Sequence, residues 1–172
     1  MTVIIRPARP ADAANLPAIE RSAAGLFRLD PALAWLADSD VADTAQHLQA
    51  IEYAHVWVAE NTDGQLAGFL RAVEISHWLH VEELSVSQDF QGQGIGRTLM
   101  LAAIEEARRQ RLAGLTLTTF RDLPWNAPFY QRMGFVVLAE ENTDAHLTQA
   151  LSNEVTHGFP GERRCAMRLT LD

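Results

Sequence analysis

One stretch restricts the possible folds of this chain more than any other. Val81-Glu82-Glu83-Leu84-Ser85-Val86 reads as a strand, Gln91-Gly92-Gln93-Gly94-Ile95-Gly96 as a glycine-dense turn, and Arg97-Thr98-Leu99-Met100 as the opening of a helix. In that helix Leu99, Met100, Ala103, Ile104 and Ala107 recur at helical spacing. A strand, a glycine loop and a helix N-terminus together make an anion site. Glycines reach positive φ and let the backbone approach a ligand closely, while the first-turn N–H groups have no partner inside the helix. Each charge-assisted N–H bond to a phosphate oxygen contributes about 1.5–3 kcal/mol, and the helix dipole adds about 0.3–1 kcal/mol. Roughly three or four such bonds are enough to hold a pyrophosphate.

Spacing excludes two common phosphate loops. A P-loop needs Gly-Lys-Ser or Gly-Lys-Thr, and this chain has Gly96-Arg97-Thr98 with a different glycine spacing. A dinucleotide fingerprint wants Gly-x-Gly-x-x-Gly on the first strand of a βαβ unit with an acid on the next strand. Here the glycines run Gly92-x-Gly94-x-Gly96 in mid-chain, and the next strand, Leu115 to Thr119, ends without an acid. The pattern Gln91-x-x-Gly94-x-Gly96 instead resembles the acyl-CoA loop of the GNAT superfamily of N-acetyltransferases. Downstream, Phe129-Tyr130-Gln131-Arg132-Met133-Gly134-Phe135 is similar to that family's second signature, one helix and one strand later. Pro124-Trp125-Asn126 resembles a GNAT subgroup whose acceptors the motif does not define.

The resemblance implies an α/β (α+β) fold: a mixed, mostly antiparallel central sheet flanked by helices, with strands 80–86 and 115–119 splayed to form a slot. The remaining sequence is read as follows. Thr2–Arg6 is a first strand, broken by Pro7-Ala8-Arg9-Pro10. Asp12 or Asn15 caps a helix running to about Gly25, with Leu16, Ile19, Ala23 and Leu26 on one face and Pro17 within its first turn. A short helix follows Asp30-Pro31, and a second longer one runs from Asp43 or Thr44 to Tyr53 with Ala45, Leu48 and Ile51 inward. His55–Glu60, the turn Asn61-Thr62-Asp63-Gly64 and Gln65–Ile75 make a hairpin. The glycine-loop helix is expected to end near Arg111 with Gly114 as its stop. After the strand from Leu115 to Phe120, Asn126 caps a short helix ending at Gly134, Phe135–Ala139 is a strand, 144–155 a helix and Arg164–Leu171 the last strand. Neither repeat nor linker interrupts this order, so residues 1–172 are expected to form a single domain.

Composition narrows the function. A chain of 172 residues with 48% hydrophobic content can bury a sizeable core. No apolar run approaches the roughly 20 residues that span a bilayer, and Met1 to Arg6 runs directly into a strand pattern unlike a signal peptide. The net charge of −8 leaves no basic stripe for nucleic acid and is compatible with a cationic substrate. The lone Cys165 reads as a small core residue in a reducing, cytoplasmic setting. His146 and His157 lack metal-ligand spacing, so no metal is expected.

An amine with a pKa near 10.4 costs about 4.6 kcal/mol to deprotonate at pH 7, at 1.36 kcal/mol per unit, so the chemistry needs a base, and the departing thiolate needs an acid. The resemblance implies Glu82 as that base, with Glu83 second and His80 a relay. Adjacent carboxylates on a central strand also require a wet cleft or a cation nearby. Tyr130 matches the family's proton donor to the thiolate. The resemblance further implies that the backbone of Leu84, Ser85 and Val86 pairs with pantetheine as an added strand. Gln91, Gly92, Gln93, Gly94, Ile95, Gly96, Arg97 and Thr98 would cradle the diphosphate, with Asn126 and Phe129 along the CoA arm; the family's usual Asn seven residues before the tyrosine is Leu123 here. Phe27, Arg28, Trp35 and Trp125 are the expected substrate-side residues. The implied activity is acetyl transfer from acetyl-CoA to a primary amine of a small molecule in a ternary complex. Acetylation of a protein N-terminus or lysine and a silent acyl-CoA-binding module are the alternatives, and a homodimer is left open.

Overall fold

The computed structural model describes residues 2–172. Seven strands hydrogen-bond in the order β1-β2-β3-β4-β5-β7-β6: β1 Val3–Pro7, β2 His55–Asn61, β3 Leu66–Ile75, β4 Trp78–Val86, β5 Gly114–Phe120, β6 Val136–Val137 and β7 Arg164–Thr170. Among the described residues five α-helices accompany them: α1 Leu16–Ala24, α2 Thr44–Tyr53, α3 Ile95–Arg109, α4 Ala127–Arg132 and α5 Ala145–Thr156. Residues 2–73 with Glu83–Ala103 form one compact unit, and Glu74–Glu82 with Ile104–Asp172 a second.

In the first unit β1 lies antiparallel on β2, with Val3 opposite Asn61, and β2 lies antiparallel on β3, with His55 opposite Ala72. The hairpin between β2 and β3 closes because the Asn61 side chain accepts the amides of Asp63 and Gln65 at 3.0 and 2.9 Å, while Gly64 sits at φ +80°. Leu16, Ile19, Val56, Val58 and Phe69 make the core, with Ala8, Ala50, Ile51 and Leu66 packed around them. Each fully buried side chain of this size contributes about 1.5–3 kcal/mol.

Two readings of this half are corrected. Asp12 does not cap α1: Arg6 grips its carboxylate at 2.8 and 3.1 Å, the Arg9 amide donates to it at 2.7 Å, and Pro10–Asn15 form a separate 3₁₀ turn before the helix starts at Leu16. An ion pair to a strand residue six positions earlier, rather than helix capping, therefore decides where that carboxylate goes. In α2 the inward face carries His47, Ala50 and Ile51, whereas Ala45 and Leu48 face solvent. The helix does begin as expected, with Asp43 and Gln46 exchanging backbone bonds at 2.8 Å in a capping box.

In the second unit β4 pairs in parallel with β5 over Trp78–His80 against Gly114–Thr116. β5 pairs antiparallel with β7 along its whole length, from Gly114 opposite Thr170 to Phe120 opposite Arg164. Leu138, Leu147 and Ala166, with Leu151 beside them, hold α5 on this part of the sheet. The Arg164 guanidinium lies 4.4 and 5.0 Å from the rings of Phe120 and Phe159, which stack on each other at 5.8 Å, and it bonds Glu154 at 2.9 Å.

Gly114 is not the stop of α3. Arg111 takes the left-handed position, at φ 58°, and Gly114 opens β5 where the Leu169 carbonyl and the Trp78 ring occupy the space a Cβ would need. The strand expected over 135–139 shortens to Val136–Val137, because Phe135 and Leu138 turn into the interior and a 3₁₀ turn begins at Glu140. Cys165 is buried as expected, and burial pushes its thiol pKa up. Among the described residues, no helix is long and apolar enough to cross a membrane.

Candidate active site

The glycine turn follows from three local constraints. The Ser87 amide bonds the Ala67 carbonyl at 2.9 Å, Phe90 buries its ring in the 3₁₀ turn Gln88–Phe90, and the Gln91 side chain folds back to donate to the Val86 carbonyl at 2.9 Å. Gly92 and Gly94 each sit at φ +78°, a conformation that side-chain-bearing residues rarely adopt. Ile95 then anchors the start of α3 inside, and Thr98 bonds the Gly94 carbonyl through both its amide and its hydroxyl, at 3.0 and 2.9 Å. Gly92, Gln93, Gly94, Arg97 and Thr98 face solvent around these amides. The result is an exposed helix N-terminus with a positive dipole end, lined by backbone and one arginine.

The turn is tied to α1. Gln88, the first residue of that 3₁₀ turn, donates its amide to Ser22 Oγ at 2.9 Å and its side-chain Nε2 to the Ser22 carbonyl at 2.6 Å. A Cβ on Gly25 would collide with that Gln88 side chain, so the glycine provides room for the tie. Beyond it, Gly25–Leu29 and Ala34–Asp38 form 3₁₀ turns. There Arg28 forms an ion pair with Asp38 at 2.6 Å on the surface, Phe27 is half-buried and Trp35 is 42% exposed.

On β4, Leu79, His80 and Val81 are all buried, so both faces of the strand are covered there; Glu82 is exposed and Glu83 half-buried. Ser85, 2% exposed, donates its hydroxyl to Glu83 at 2.8 Å, which fixes Glu83 on the face carrying Ser85. Glu20 of α1 lies within the electrostatic reach of Glu83. Burial first, and the Glu83 charge second, push the Glu20 carboxyl up to about 7. Its Oε1 stands 3.4 Å from Nε2 of His47, a residue 1% exposed whose pKa burial lowers.

In the second unit His80 Nδ1 lies 3.0 Å from Thr116 Oγ1, and the same hydroxyl lies 3.0 Å from Nε2 of His146 on α5. One threonine hydroxyl thus joins two imidazoles, donating to one and accepting from the other. Burial, reinforced by His146, lowers His80 to about 4, so it stays neutral at physiological pH. Tyr130 is buried on α4, edge-on to Phe129 at 5.1 Å and to Phe135 at 5.8 Å. Asn126 stands before α4 without capping it; its Oδ1 accepts the Phe120 amide at 3.4 Å. Leu123 is buried and its carbonyl accepts the Asn126 amide at 2.9 Å, while Trp125 is half-buried. No group of three or more His, Cys, Asp or Glu among the described residues could hold a metal ion.

Reading the sequence missed Glu20, His47, Thr116 and the Ser22–Gln88 tie. Glu20 and His47 left a signal: Glu20 lies four residues after the buried Leu16, on the apolar side of α1, and His47 lies three and four residues before Ala50 and Ile51. The partners of Thr116 and Ser22 come from distant parts of the chain and leave no local pattern.

The model for an acetyltransferase (GNAT) domain matches residues 52–137, half of the chain. The chain belongs to the GNAT acetyltransferase family. Its fold is similar to the PaiA N-acetyltransferase of Thermoplasma acidophilum, solved in complex with coenzyme A: TM-score 0.71, 18% identity, covering 99% of this chain and 100% of that one. A GNAT acetyltransferase of Staphylococcus aureus Mu50 gives a TM-score of 0.73 at 16% identity, covering 99% and 100%. The ribosomal-protein-S18-alanine N-acetyltransferase of Escherichia coli gives 0.71 at 16% identity, covering 99% and 95%.

Proposed function

We propose that this chain transfers the acetyl group of acetyl-CoA to the primary amine of a small molecule, by direct attack in a ternary complex, with residues 1–172 acting as one cytoplasmic catalytic domain. The observation that carries this reading is the Gly92–Gly94 turn, held at φ +78° twice and opening directly into α3. Its amides suit the diphosphate of coenzyme A, the compound bound to the Thermoplasma enzyme of the same fold. Gln91 to Thr98 form the diphosphate cradle, Leu84 to Val86 offer the strand to pantetheine, and Phe129 and Asn126 border the CoA arm.

The base must stand where water does not fully screen it. Glu83, half-buried and held by Ser85 at 2.8 Å, fits that demand better than the exposed Glu82 that the family motif indicates. His80, neutral and hydrogen-bonded, keeps the strand in place and is available to pass a proton. Tyr130 returns a proton to the thiolate as the C–S bond breaks. Phe27, Arg28, Trp35 and Trp125 are assigned to the acceptor side. The likeness to the E. coli enzyme, whose substrate is the alanine of a ribosomal protein, supports a second reading in which the amine is a protein N-terminus.

The test combines binding and turnover. Calorimetric titration should show acetyl-CoA binding to the wild type and a loss of at least tenfold in affinity for Gly94→Trp; equal affinity in the two refutes the cradle. Thiol release from acetyl-CoA with polyamines, amino acids, aminoglycosides and N-terminal peptides then chooses between the two acceptor classes, and silence across all arms with acetyl-CoA bound favours the binding module.

A further inference from the structure

Thr116 and His146 are polar groups to which the scheme above gives no task. The Thr116 side chain is wholly buried on β5, and its Oγ1 lies 3.0 Å from Nδ1 of His80 and 3.0 Å from Nε2 of His146. His80 and Thr116 are register partners across the parallel β4–β5 pair, so both side chains leave the same face of the sheet. His146, from the first turn of α5, reaches down onto that face, and its ring meets the His80 ring edge-on with centroids 5.4 Å apart. A valine would fill the Thr116 position on a strand with nothing polar to satisfy.

Counting hydrogens restricts how the three groups can be bonded. A hydroxyl carries one hydrogen and donates it to one nitrogen, so the other nitrogen must bring the hydrogen of the second bond. Either His80 donates from Nδ1 and Thr116 donates to His146, or the whole chain runs the other way. The hydroxyl hydrogen goes to the more basic ring, and the more acidic ring donates. Burial, with His146 beside it, lowers His80 to about 4. His146 is only half-buried, and the Asp144 charge opposes the lowering that burial causes. His80 is therefore the donor, with its hydrogen on Nδ1 and its Nε2 bare.

The charges packed around the chain leave that order in place. Arg164 of β7 bonds Glu154 of α5 at 2.9 Å, and Arg168, opposite Thr116, lies over the Trp78 ring at 5.4 Å. Arg163, in the turn before β7, pairs with Asp122 at 3.1 Å. On β4 the exposed Glu82 stands two residues beyond His80, and on β3 Glu74 is exposed. β5 itself, Gly114–Phe120, carries no charged residue.

We propose that Thr116 and His146 act through His80: they hold its hydrogen on Nδ1 and its Nε2 bare, and His146 receives the charge of a proton that Nε2 takes up. The passage is a shift of two hydrogens by one place each. As Nε2 of His80 gains a proton, its Nδ1 hydrogen moves to Thr116 Oγ1 and the hydroxyl hydrogen moves to His146 Nε2. One N–H and one O–H bond break behind the arriving proton, and one O–H and one N–H bond form. His80 is left neutral with its hydrogen on Nε2, and His146 carries the charge until it loses a proton to solvent. The reverse shift restores the first state. Thr116 and His146 are thus positioning residues for His80. The inference rests on the acetyltransferase reading, in which His80 passes a proton, and it gives a ring too buried to keep a charge a way to do so.

Nitrogen-15 labelling of the histidine rings reads the hydrogens directly by NMR. In the wild type at pH 8, His80 should show a hydrogen on Nδ1 and a bare Nε2. As pH falls and His146 takes up its proton, the His80 hydrogen should pass to Nε2 over the same pH range while the ring stays neutral. Thr116→Val keeps the shape and removes the hydroxyl, so His80 should then hold one tautomer while His146 titrates; Thr116→Ser should restore the exchange. If Thr116→Val does not fold, His146→Gln takes its place, and His80 should keep one tautomer down to its own protonation. A wild-type His80 with its hydrogen on Nε2 at pH 8, a tautomer indifferent to the titration of His146, or an exchange that survives Thr116→Val or His146→Gln overturns the proposal and leaves the acetyltransferase reading standing. A protein that shows the exchange but binds no acetyl-CoA in calorimetry overturns that reading, and with it the catalytic use of the exchange.

Discussion

The half-buried Glu20 and the buried His80 are ionisable side chains displaced in opposite directions, and their effects on stability oppose each other. Glu20 titrates at about 7 in the fold against 4.5 as a free side chain, so its contribution is whole below pH 4.5 and is lost as pH rises through 7. His80 titrates at about 4 against 6.5, so its contribution is present above pH 6.5 and is lost as pH falls through 4. Each swing, about 2.5 units, is roughly 3 kcal/mol at 1.36 kcal/mol per unit, and over the shared window the two largely cancel in the wild type. Substitution separates them. Relative to wild type, Glu20→Gln should gain stability from pH 5 to pH 8, and His80→Gln should lose it from pH 4 to pH 7, each by roughly 3 kcal/mol. Urea denaturation at four pH values measures both, and a difference independent of pH would mean that the group titrates as if in water.

The elements divide by what their residues need in order to take their places. Those fixed by neighbours in sequence were legible: the Asn61–Gly64 hairpin, the apolar stripe of α3, the left-handed Gly134 after α4 and the Asp43 start of α2 all stand where local pattern puts them. The capping box of α2 should therefore behave like an isolated one. Asp43→Ala should cost about 1 kcal/mol in denaturant unfolding, and a loss under a few tenths would mean that packing of Ala50 and Ile51 alone sets the helix start. Elements fixed by partners far along the chain were not legible. Asp12 has the sequence context of a helix cap, but Arg6 claims it; Gly114 has that of a helix stop, but the Leu169 carbonyl presses on it. The site shows the same division. The glycine turn and the Phe129–Phe135 segment announce themselves in sequence, because backbone chemistry demands particular residues at fixed spacing. Glu20, His47 and the His80–Thr116–His146 chain do not, since each depends on side chains brought together only by folding.

For the molecule as a whole, the excess of acidic over basic side chains gives a net charge of −8, and its long-range field attracts cations and repels the anionic cosubstrate. Salt screens that field, with a Debye length of about 10 Å at 0.1 M. Raising ionic strength from about 0.05 to 0.5 M should therefore increase KM for a cationic amine acceptor severalfold and leave that for acetyl-CoA level or lower; equal rises would remove the field as a contributor. In the second unit the order of strands carries a different consequence. β7, residues 164–170, lies between β5 and β6, which precede it in the chain. A ribosome has thus made both neighbours before it makes the strand that joins them. Until residue 170 clears the exit tunnel, β5 exposes an open edge to the cell, and the nascent protein depends on chaperones or on speed to keep that edge from pairing with another chain.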